Sequence, residues 1–145
     1  FALLGPLWGR SPGFFVEAGA LDGVRFSNTQ LLTQRGCDWH GLLVEANPEL
    51  VERARANRPE SLVVGSALCA SPRTVQWVQS GRPEVRGILE YMAPSFVRRW
   101  HAAAADRVLI DLPCVTLDSL LARLNRTHID FLSLDVEGGE WQGLQ

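Results

Sequence analysis

The sequence contains no lysine, and all 14 of its basic residues are arginine. They are scattered, with no run longer than the pair Arg98 and Arg99, so no focused positive field exists for a nucleic acid to follow. The all-arginine usage points to codon preference rather than to a phosphate site. A formal charge of -2 and a pI near 5.9 imply no polyanion partner and exclude a highly charged disordered tail. Cysteine is sparse too. Cys37, Cys69 and Cys114 stand far apart with no C-x-x-C pair, a pattern that indicates neither a zinc site nor a disulfide framework and better fits a reducing, cytoplasmic compartment. Long apolar runs are missing: Phe1 to Gly9 is apolar but far shorter than the roughly 20 residues of a membrane helix. The sequence does not begin with Met, so its natural start is expected to be missing or processed, and membrane association of a longer protein stays open. What remains is 145 residues, 46% of them hydrophobic, enough for one buried core. Residues 1–12 read as a lead-in and 13–145 as a single domain, without repeats or linker-like stretches.

Glycine and proline punctuate that domain into alternating elements. Phe14 to Ala18 is a short apolar run after Gly13, as a buried parallel strand is written. Ser27 or Asn28 can cap a helix over Thr29 to Arg35 that Gly36 stops. A second apolar run, Gly41 to Glu45, precedes Asn47 and Pro48, which read as cap and first position of a helix over Pro48 to Asn57, with Pro59 preventing continuation. Ser61 to Gly65 supplies a third strand. This strand-helix alternation predicts a doubly wound, mostly parallel α/β sheet. The middle is weakly patterned. Val75, Trp77 and Val78 suggest an exposed or edge strand before a turn at Ser80 to Pro83, Pro94 to Ala105 a helix, and Arg107 to Val115 a strand that Pro113 bars from a central position. Thr116 caps a helix with Leu117, Leu120, Leu121 and Leu124 on one face. Ile129 to Val136 is the fourth core strand, apolar on both faces and so expected to be covered on both sides. Only nine residues follow it, fewer than a crossover requires, so the sheet is expected to be truncated there.

Three strand ends carry acids. The first loop, Glu17-Ala18-Gly19-Ala20-Leu21-Asp22-Gly23, sets a carboxylate beside glycines where the backbone turns closely. It is not the dinucleotide fingerprint, because Leu21 occupies the position of the second glycine, which disfavours a nicotinamide-dependent oxidoreductase. Pyrophosphate calls for bare N–H groups, whereas a cationic sulfonium ligand calls for carboxylate and carbonyl oxygens. Glu45 ends the second strand, 22 residues after Gly23, where an acid in such folds accepts ribose hydroxyls. Asp135-Val136-Glu137-Gly138-Gly139-Glu140 then brings three carboxylates to the end of the fourth strand.

These three segments, together with Ser27-Asn28-Thr29, Gly41-Leu42-Leu43-Val44-Glu45-Ala46-Asn47-Pro48 and Ile129-Asp130-Phe131-Leu132-Ser133-Leu134, resemble the FkbM methyltransferase family over roughly Gly13 to Glu140. The resemblance implies a class I, Rossmann-like methyltransferase fold, S-adenosylmethionine as methyl donor, and O-methylation of a sugar or other small-molecule hydroxyl. It implies that Glu17, Gly19 and Gly23 hold the methionine part and Glu45 the ribose, with Ala20, Asp22, Asn28, Ala46 and Asn47 completing the cofactor set and Asp135 beside the reacting centre. By position after the third strand, Ser66 and Ala67 are expected either as adenine-side contacts or as a plain turn. Asp135, Glu137 and Glu140 are the candidate general bases, with Asp135 favoured as the rigid strand-tip group. The family's further strands, which complete the sheet and part of the acceptor pocket, lie outside this sequence, so activity is expected of a longer product. The motifs are also similar to Star-like animal proteins linked to trafficking of membrane cargo, which implies an alternative: a binding module that retains the fold without the chemistry.

Other conspicuous residues read as structural. His40, His101 and His128 have no metal-ligand spacing, and the five tryptophans are expected to pack, although any of them could stack on an adenine. Asn125-Arg126-Thr127 is a glycosylation sequon, meaningful only in a secreted protein.

Overall fold

The computed structural model describes residues 12–34, 38–103 and 107–145. Its main sheet has four strands in the order β3-β2-β1-β7, all parallel: β1 Gly13–Ala18, β2 Trp39–Glu45, β3 Leu62–Gly65 and β7 Phe131–Leu134. Every residue of β1 is buried, which is why its sequence is apolar on both faces apart from Glu17 and does not alternate. Phe14, Val16 and Ala18 face one layer with Leu42 and Val44, and against them pack Leu117, Leu120, Leu121 and Leu124 of α3, Leu117–Arg123, and its C-terminal turn. Phe15 faces the other layer with Leu43, Trp39 and Leu32 of the short 3-10 helix Gln30–Thr33. The sheet is therefore covered on both faces, an α/β Rossmann-like arrangement.

The helix ends follow from local chemistry. In α1, Pro48–Asn57, the Asn47 side chain accepts from Glu49 N–H at 3.2 Å and Pro48 occupies the first turn, where its missing donor costs nothing. Thr116 Oγ1 likewise accepts from Ser119 N–H at 3.0 Å to start α3. The helix expected over Thr29 to Arg35 is instead the single 3-10 turn, begun by Ser27, whose hydroxyl accepts from Thr29 and Gln30 N–H. Its proposed stop, Gly36, and Cys37 lie outside the described residues.

The weakly patterned middle folds as a second, three-stranded sheet of order β4-β6-β5: β4 Ala67–Leu68, β5 Arg73–Val78 and β6 Leu109–Val115. A helix, α2, spans Pro94–Trp100 between β5 and β6; of the longer helix expected to Ala105, residues 101–103 are not helical and residues 104 and 105 lie outside the described residues. Pro113 corrects the sequence reading, because β6 is the central strand. It is tolerated because β4 pairs only with Cys114 and Val115. The Pro113 carbonyl accepts from Ser66 Oγ at 3.0 Å, so the side on which proline lacks its N–H faces the region before that ladder begins.

Two further expectations are corrected. Cys69 and Cys114 form a disulfide, with Cα atoms 5.7 Å apart. They are 45 residues apart in the chain, but Ala67 registers with Cys114 in the β4-β6 pair, which sets Cys69 beside it. This pairing removes the ground for favouring a reducing compartment. Strand β7 is shorter than expected and, among the described residues, pairs with β1 alone, which leaves Leu132 36% exposed where cover on both sides was expected.

Candidate functional site

Parallel pairing brings the C-terminal ends of β1, β2 and β7 to one edge. Ala18 registers with both Val44 and Leu134, so Glu17, Glu45 and Asp135 fall within two positions of a common level. There they line one cavity of about 220 Å³. Of the residues singled out in the sequence, Gly19, Asn28, Ala46, Ser66, Ala67 and Glu137 line it as well. Ala20, Asp22, Gly23 and Asn47 do not: Ala20 is buried beside Leu32 in the core, Asp22 Oδ1 caps the N–H groups of Val24 and Arg25, Gly23 lies under Arg58, and Asn47 caps α1. Gly19 is irreplaceable on two counts, a φ of +81° and a position where any Cβ would run into the Asp135 carbonyl.

The acids differ in what they have left to offer. Glu17 is buried and three of its lone pairs are taken: Oε1 accepts from Asn28 N–H at 2.6 Å, and Oε2 accepts from the hydroxyls of Ser27 at 2.8 Å and Thr29 at 2.7 Å. It holds the 27–29 loop while lining the cavity. Asn28, positioned this way, donates from Nδ2 to Ser133 Oγ across the β1-β7 edge. Glu45 is buried but keeps capacity. Its oxygens each accept one backbone N–H at 2.7 Å, from Leu21 and from Asn47, leaving a lone pair on each. Burial outweighs these bonds and raises its pKa.

At the end of β7, Glu137 is half-buried with φ +55°, and its pKa is pushed up to about 7 by burial and by the charges of Asp135 and Glu140. Glu140, the third candidate base, does not line the cavity. Its Oε1 accepts from Val136 and Gly138 N–H and so caps the turn that bends the chain past β7. Of four non-glycine residues with positive φ among those described, Leu21, Phe26 and Glu137 line the cavity, a clustering typical of ligand sites.

The opposite wall comes from the middle segment, where the sequence carried little signal. Trp77, Glu84, Arg86 and Ile88 line it. Arg25 pairs with Glu84 at 2.6 Å, joining the loop after β1 to the 3-10 turn Pro83–Val85. Arg86 donates from Nε and Nη2 to the Gly81 carbonyl, while its Nη1 and the indole Nε1 of Trp77 are buried with no hydrogen-bond partner among the described residues. His101 is buried against the Val85 carbonyl at 2.8 Å and does not reach the cavity. The lining thus holds five carboxylates, Glu17, Glu45, Glu84, Asp135 and Glu137, against one guanidinium.

A family model for the methyltransferase FkbM domain matches residues 17–145, a span that contains every residue of the cavity wall. The chain belongs to the FkbM methyltransferase family. No curated protein and no solved structure matches the chain. In this FkbM domain the acid-tipped strand ends of the main sheet meet a wall built from the second sheet and the turns beside it.

Proposed function

We propose that this FkbM domain binds S-adenosylmethionine in the cavity at the strand ends and transfers its methyl group to a hydroxyl of a small molecule or sugar. The observation that carries the reading is the convergence of acids from three neighbouring strands on one cavity whose lining holds five carboxylates and one guanidinium, a donor set that favours a cationic ligand over an anionic one. The donor set fits such a ligand. Glu45 has free lone pairs for a ribose diol, Ser66 and Ala67 offer a small-residue shelf for a flat base, and Trp77 Nε1 is a buried donor in need of an acceptor.

When bound, the cofactor supplies a sulfonium-activated methyl group. The chain's own contribution is alignment of the acceptor oxygen and removal of its proton. Between the two expected bases that line the cavity, Asp135 and Glu137, the latter is the better acceptor of that proton: a pKa of about 7 leaves it able to take and return a proton at neutral pH. Asp135, exposed at the cavity rim, raises that basicity by its neighbouring charge. Calorimetric titration tests the binding step. S-adenosylmethionine should bind the folded protein, and Glu45→Ala should weaken binding at least tenfold, the ~1.4 kcal/mol or more expected for lost charged hydrogen bonds. Absence of binding by folded, full-length wild-type protein would instead favour the non-catalytic module of the Star-like resemblance.

A further inference from the structure

The sequon Asn125-Arg126-Thr127 plays no part in the cavity, yet the structure presents it as an acceptor for modification. All three residues are exposed. Asn125 sits in the turn after α3 with φ +52°, and among the described residues its side chain makes no hydrogen bond. Arg126 lies over the Phe14 ring at 4.8 Å, which anchors the middle of the tripeptide and leaves Asn125 and Thr127 outermost. The segment borders Phe14 and His40, the second residues of β1 and β2, and so stands at the N-terminal edge of the sheet, opposite the cavity. A bulky group there leaves the cavity open.

A sequon has meaning only where the glycosylation machinery works, and a second, independent feature speaks for such a compartment. The Cys69–Cys114 disulfide is buried, each cysteine 1% exposed, and ties β4 to β6 inside a core cluster. Such a bond is characteristic of folding under oxidising conditions. We propose that Asn125 carries an N-linked oligosaccharide and that this domain folds in an oxidising, secretory-type compartment. In the modification, Asn125 Nδ2 forms a bond to the anomeric carbon of a lipid-pyrophosphate-linked oligosaccharide as the bond from that carbon to the pyrophosphate oxygen breaks. The amide gives up one proton, and the lipid pyrophosphate leaves with the bonding pair.

The test uses the full-length protein isolated from its own cells under thiol-blocking conditions. Release of N-glycans by peptide N-glycosidase in heavy-oxygen water should convert Asn125 to heavy-oxygen-labelled Asp in the peptide map, with a downward shift on gels. Re-expressed Thr127→Ala should lack that shift and Thr127→Ser should retain it. In denaturant, Cys69 and Cys114 should resist alkylation until reduced. An unmodified Asn125 peptide from folded protein overturns the proposal, as does alkylation of both thiols without reduction.

Discussion

Glu137 should weaken this fold at neutral and higher pH. Its carboxyl is raised from 4.5 to about 7 in the folded chain, first by burial and then by Asp135 and Glu140. The folded state therefore binds a proton that the unfolded chain has already released between these two values, so stability falls as pH rises through that window. Below 4.5 both states are protonated and Glu137 has no effect. Above about 7 the full penalty applies. At ~1.36 kcal/mol per pH unit the upper bound is roughly 3.4 kcal/mol, and partial solvent exposure screens this to about 1 to 2 kcal/mol. Glu137→Gln keeps the shape and removes the charge, so it should match wild type at pH 4.5 and exceed it by about 1 to 2 kcal/mol at pH 8. Urea unfolding at the two pH values, read by tryptophan fluorescence, measures this difference. An equal offset at both pH values would refute the reasoning, because a packing effect does not titrate. The same substitution should abolish methyl transfer if Glu137 takes the acceptor's proton, a stability-for-function exchange expected of site residues.

Other outcomes follow from single contacts. Gly19→Ala forces a side chain into positive φ and against the Asp135 carbonyl, so it should cost at least about 2 kcal/mol and lower the urea midpoint. Replacing Cys69 and Cys114 together by serine releases a 45-residue loop and should cost about 3 to 4 kcal/mol of unfolding free energy on the chain-entropy estimate. Thr116→Ala removes the α3 cap seen at Ser119 N–H and should cost about 1 kcal/mol, measurable in the same titration.

Much of the framework was legible because its signals are local. The span of α1 agrees with the sequence reading at both ends, since Asn47, Pro48 and Pro59 act within a turn of the positions they delimit. The strands β1, β2 and β3 were written as apolar runs closed by glycine or acid, and their parallel pairing follows from the alternation with helices. Long-range pairings were not legible. Nothing near Cys69 names Cys114, and nothing near Pro83 to Ile88 says that it faces the ends of β1 and β2. Pro113 misled because propensity takes no account of how short a neighbouring strand is.

The sequence alone determined the strands of the main sheet, α1 and α3, and that the acid-bearing strand ends share an edge, because period, capping and the parallel α/β alternation are properties of short segments. Only the tertiary structure decided what each acid is free to do. A carboxylate's role depends on which donors reach it first: the 27–29 loop claims Glu17, the β7 turn claims Glu140, and Glu45 and Glu137 keep capacity on the cavity side. Those competitions are settled by distances between residues remote in the chain, which no local pattern encodes.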